Sequence, residues 1–113
     1  MSKRNALAMA PPFEVEQALK SLGVNLRTAR LARNLSIEQA AAKIGVGYRT
    51  VATAEAGKPG TAVGVYVSLL WAYDLLGQVH ELADPVRDPL VQRAARSRVR
   101  AYPTRKGALE NDF

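Results

Sequence analysis

The sequence predicts an all-α fold: a domain of five helices followed by a basic C-terminal extension that reads as either a short helix or an edge strand. Three observations lead there. Aromatic residues make up only 6% of a chain that is 48% apolar. Alanine and aliphatic side chains must therefore fill the core, and alanine favours helix whereas strands draw on β-branched and aromatic residues. Apolar residues recur at steps of three and four from Phe13 to Arg33, the period of one buried helical stripe. Two short stretches then follow, closed by Gly45 and Gly57.

Residues 1–12 read as a disordered tail, closed off by Pro11-Pro12. The first helix carries Val15, Leu19, Leu22, Leu26 and Ala29 on its stripe and ends at Asn34-Leu35; Gly23 is expected to weaken or kink it. Ser36, with Gln39 three positions on, forms a capping box that opens a second helix to Ile44. Gly45 stops it, because glycine takes positive φ at little cost. A third helix runs from about Gly47 to Ala56, and Lys58-Pro59-Gly60 is a loop. Thr61 is placed to cap a fourth helix over 62–76, apolar on nearly every face, which is the pattern of a central helix or of one shared with another subunit. Gly77 begins a short fifth helix to about Ala83.

Pro85 and Pro89 separate this domain, 13–83, from an extension over 84–113. Asp88-Pro89 is a cap with proline at the first helical position, which suits a helix from Leu90 to about Ser97. The alternation Arg98-Val99-Arg100-Ala101-Tyr102 fits an edge strand as well, and the last seven residues read as disordered. Arg93, Arg96, Arg98, Arg100, Arg105 and Lys106 occur here with no acid among them. With so little apolar surface, residues 84–106 are expected to be an adaptable arm that orders on an acidic partner protein or on DNA, the alternative being a solvated basic tail with no partner.

A chain of 113 residues with net charge +6 is one basic domain's worth, and such an excess points to a polyanion: DNA, RNA or an acidic membrane. No stretch of 18 apolar residues is present, and the apolar run in MSKRNALAMAPP is too short for a signal peptide. A cytoplasmic protein without a membrane partner is expected. The chain has no cysteine, hence no thiolate metal site. Its one histidine, His80, lacks the partners of a metal triad or a Ser-His-Asp arrangement, and no Gly-rich loop follows a strand. No enzyme activity, catalytic residue, metal or cofactor is therefore expected.

The specific signal lies in residues 36–57. Ala40 and Ala41 permit close helix crossing, and Ile37, Ile44, Val46, Val51 and Ala54 supply contacts that fix the angle between two short helices. Such a pair can present its second helix to the major groove of double-stranded DNA. The apolar surplus of 62–76 points to a symmetric dimer, with Val65, Tyr66, Leu69, Trp71 and Tyr73 as candidates for the shared surface.

The run LRTARLARNLSIEQAAAKIGVGYRTVATAEAGKPG resembles the helix-turn-helix of the XRE/Cro family of phage-type repressors and bacterial regulators, over about residues 22–82. The resemblance implies a phage-repressor-like fold that binds a palindromic operator. By position it implies that Tyr48, Arg49, Ala52 and Thr53 face bases, with Arg49 reading guanine through two hydrogen bonds to O6 and N7. It leaves Ser36, Gln39, Lys43, Thr50 and Lys58 as candidates for phosphate contact, each equally readable as a cap or a solvated side chain. Arg30 and Glu55 stand where the family often has an ion pair between its first and third helices, while Arg27 and Arg33 read as a solvated basic face. Two positions depart: Ile37 replaces a frequent glutamine, and Gly47 replaces the usual hydroxyl residue at the recognition-helix cap.

The run GKPGTAVGVYVSLLWAYDLLGQVHELADPVRDP resembles HipB-type antitoxins, small regulators encoded beside HipA-type serine/threonine kinase toxins. That resemblance implies a repressor of its own operon that also sequesters a kinase. A stand-alone regulator with no toxin partner is the alternative.

Overall fold

The computed structural model describes residues 6–101, and every regular element among them is helical. They fall into two compact units that divide between Val79 and His80.

The first unit opens with α1 (Ala6–Met9), one turn of helix within the stretch expected to be unstructured. Helix α2 (Phe13–Ala32) carries Glu14 and Glu16 in its first turn, where negative charge complements the helix dipole. Its stripe is Leu19, Leu22, Leu26 and Ala29, with Arg30 beside them; Val15, expected on the same stripe, is exposed. Asn34 ends the run in the left-handed region at φ 58, which a short polar side chain tolerates.

Gly23 does not break α2. A Cβ there would lie 2.3 Å from the Glu55 carbonyl oxygen. The glycine lets the end of another helix press against the α2 backbone, so its value lies in tertiary contact and not in local flexibility.

Helix α3 (Ile37–Ile44) begins with the expected capping box. Ser36 Oγ accepts from the Gln39 amide at 3.0 Å, and Gln39 Oε1 accepts from the Ser36 amide at 2.8 Å. Gly45, at φ 76, turns the chain into α4 (Tyr48–Glu55). Gly57, at φ 70, closes α4, and a Cβ there would meet the Leu19 carbonyl at 2.6 Å.

Helix α5 spans Val63–Ala72, shorter than the 62–76 expected, because Asp74 takes φ 62 and redirects the chain. Its N-cap is Ala62 and not Thr61; the Thr61 hydroxyl is buried without a partner. A 3-10 helix, Leu76–Glu81, replaces the short fifth α-helix.

The core is Leu26, Ala40, Ala41, Val51, Ala54, Tyr66, Leu69 and Tyr73. Alanines at 40, 41 and 54, each 3% exposed or less, let α4 pack closely against α2, α3 and α5. This corrects the expected dimer surface. Tyr66, Leu69 and Tyr73 are buried within a single chain, and Val65 is half-buried against the same core. Of the five only Trp71 is exposed. A helix apolar on all faces gives no periodicity from which the inward side can be read.

In the second unit, Asp84 Oδ1 accepts from the Val86 amide at 3.0 Å and caps a 3-10 turn, Pro85–Arg87. Asp88 Oδ1 accepts from the Leu90 amide at 2.9 Å and opens α6 (Pro89–Ala101). Gln92 Nε2 donates to the Pro85 carbonyl at 2.8 Å, tying helix to turn. The helix runs past Ser97 through the stretch that also fitted an edge strand, since these local caps order it. Tyr102, Arg105, Lys106 and the final seven residues lie outside the described residues.

Candidate nucleic-acid interface

Two short helices joined at Gly45 set the geometry. Val51 and Ala54 bury one face of α4. Positions 48, 49, 52 and 53 fall on the other side of the same turns, since residues three and four apart share a helix face. Tyr48 is 53% exposed and Arg49 is exposed, while Ala52 and Thr53 are half-buried. Thr53 Oγ1 donates to the Arg49 carbonyl at 2.7 Å. Its hydroxyl hydrogen is thus held by the helix, and what it can offer a base edge is its lone pairs and methyl group. Beside α4 lies an open depression of about 330 Å³, lined by Arg49, Thr50 and Thr53 and, beyond the helix, by Gly60, Thr61 and Val65.

The orientation of α4 is held by an ion pair. Arg30 Nε donates to Glu55 Oε2 at 2.6 Å and Nη2 donates to Oε1 at 3.0 Å. Nη1 donates to the Leu35 carbonyl at 2.8 Å. One guanidinium thereby joins the last turn of α2, the turn before α3 and the last turn of α4. The side chains are 7% and 6% exposed. The hydrogen bonds to Glu55 raise the Arg30 pKa above its already high ordinary value, against a desolvation that lowers it.

Tyr73 completes this cluster, a role with no signal in the sequence. Arg33 lies over its ring, 5.7 Å from the centroid, within the range of a cation–π contact. The residue is buried and its hydroxyl lacks a partner. Burial pushes the phenol pKa above 10, the nearby Glu55 carboxylate adds to this, and Arg30 and Arg33 oppose it. Arg33 and Arg27 are both exposed, as a solvated face requires, and Arg33 in addition covers the Tyr73 ring.

The candidate phosphate contacts are spread around this core. Ser36, Gln39, Lys43 and Lys58 are exposed and Thr50 is half-buried. Ser36 and Gln39 are engaged in the capping box, which leaves the Ser36 hydroxyl hydrogen and the Gln39 Nε2 as donors. The Tyr66 hydroxyl donates to the Lys58 carbonyl at 3.4 Å and steadies that loop. Ile37 is half-buried against the core, so the position where a glutamine is frequent serves packing here.

Gly47 has φ −83 and ψ 165, no side-chain cap and no atom within 4 Å of an added Cβ. Gly47→Ser is therefore expected to cap α4 and raise stability by a few tenths of a kcal/mol. The check is a higher denaturant midpoint at unchanged slope.

His80 is exposed, and among the described residues no group of three His, Cys, Asp or Glu is placed to hold a metal. No helix among them is long and apolar enough to cross a membrane. No curated protein and no solved structure matches the chain. The family model described as a helix-turn-helix domain matches residues 21–83, more than half of the chain and the whole of α3, α4 and α5. With a glycine turn between two short helices, a second helix exposed at Tyr48 and Arg49, and that match, the chain belongs to the helix-turn-helix domain family, the architecture of DNA-binding regulators.

Proposed function

We propose that this protein is a sequence-specific transcriptional repressor that binds a palindromic operator as a homodimer. The observation that carries the reading is the two-sidedness of α4: one face is locked by Val51, Ala54 and the Arg30–Glu55 pair, and the other offers Tyr48 and Arg49. A recognition helix needs that rigidity, because bidentate base contacts tolerate little misplacement.

Arg49→Ala is expected to relax base discrimination by about 1–3 kcal/mol, while Lys58→Ala weakens operator and scrambled duplexes alike. Binding isotherms on both duplexes check this. Equal losses for Arg49→Ala on the two would remove it from the base-reading set.

For the homodimer, the supporting feature is a stripe on α5 that the core leaves over. Val63 and Trp71 are 73% and 58% exposed, with half-buried Val67 between them at helical spacing. Half-sites would lie about 34 Å apart. Sedimentation of Trp71→Ser against wild type tests the stripe; a wild-type monomer at micromolar concentration rejects the dimer.

The antitoxin role rests on the resemblance of residues 57–89 to HipB-type regulators. A HipA-like serine/threonine kinase would then be the protein partner, and co-expression should relieve its toxicity. Failure of rescue, with operator binding intact, leaves a stand-alone regulator.

A further inference from the structure

We propose that α6 is a second DNA-contacting element, gripping duplex phosphates through Arg93 and Arg96 without regard to sequence. The inference rests on the reading of the helix-turn-helix as a binder of double-stranded DNA.

Three features carry it. The helix from Pro89 to Ala101 contains no acidic residue, and Arg93 and Arg96, three positions apart on one face, are both exposed. These guanidiniums stand on a formed helix, because Asp88 caps it and Gln92 anchors it to Pro85. The backbone is already ordered, so only side-chain rotamer freedom is left to lose on contact. Guanidinium also matches phosphate geometry through paired donors.

A lipid surface fits less well. Leu90 and Val91 are the only large apolar side chains described on this helix, and none is aromatic. Interfacial helices need a broad apolar face with Trp, Phe or Leu. Duplex DNA, by contrast, is brought close by the same chain, so a weak phosphate contact gains from high effective concentration.

The test uses the full chain with Arg93 and Arg96 both changed to Gln, and a companion with both changed to Lys. Affinity for duplex DNA from the gene's own upstream region, and for a scrambled duplex, is measured across a salt series. Each lost phosphate contact lowers the log–log salt slope by about 0.9. The Gln variant is expected to lose about 2 units of slope equally on both duplexes, and the Lys variant to keep its slope. An unchanged slope for the Gln variant overturns the proposal. So does a slope lost equally in the Lys variant, which would make the role structural, or a loss confined to one duplex. Capture by vesicles of anionic phospholipid with the DNA slope unchanged assigns α6 to a membrane surface instead. If the wild-type chain binds neither duplex, the DNA reading of the helix-turn-helix fails, and this inference with it.

Discussion

Glu55→Ala is expected to destabilise the first unit by about 3–5 kcal/mol, the usual cost of leaving one member of a buried ion pair without its partner. Arg30 would keep its charge at 7% side-chain exposure with only the Leu35 carbonyl to accept from it. A domain of this kind has about 5–15 kcal/mol of stability in all. The variant should therefore unfold at a much lower denaturant concentration, if it folds at all. Arg30→Met with Glu55→Leu should recover much of the loss, since apolar residues of similar volume often replace a buried pair at little cost. A double-mutant cycle on denaturant midpoints separates the pair from its surroundings. Coupling near zero would show that the two charges do not hold α4. The repaired double variant also tests function: a stable fold with poor base discrimination would mean that the pair is needed for the aim of the recognition helix.

Gly23→Ala tests the contact on the opposite side of the same residue. On helix propensity alone, alanine should stabilise α2 by about 1 kcal/mol. The added Cβ, however, would stand 2.3 Å from the Glu55 carbonyl oxygen, 2.8 Å from its carbonyl carbon and 3.0 Å from the Ala54 oxygen. These are backbone atoms in the last turn of α4, and they cannot turn away as a side chain can. Overpacking of this kind costs about 1–3 kcal/mol, sometimes more. A net loss of about 2 kcal/mol is expected, with weaker binding to duplex DNA because α4 is displaced. A variant as stable as wild type would show that the two helices part easily. The Gly23 and Glu55 substitutions should not add, because both act on the end of α4.

The two glycine positions show where sequence reasoning reaches. Gly45 was legible because its requirement is local: a chain leaving α3 must adopt positive φ, and glycine does so cheaply. Gly23 looked like a weakness because its reason lies 32 positions away, in the carbonyl of Glu55. The Ser36–Gln39 capping box was likewise written in four consecutive residues. Helix α6 follows the Asp88-Pro89 signal, although it runs further than the alternation at 98–102 implied.

What the sequence by itself determined is the helical class, the two glycine-closed helices of the motif, the capping box of the first and the basic character of α6. All of these follow from propensity, capping and periodicity within a few residues. Only the tertiary structure decided which face of α5 is core, assigning Tyr66, Leu69 and Tyr73 inward and leaving Val63 and Trp71 outside. It alone drew Tyr73 and Arg33 up to the Arg30–Glu55 cluster. The physical reason is the same in each case: a helix apolar on all sides has no periodic signal to orient it, and contacts between distant segments depend on how helices cross, which no local pattern encodes.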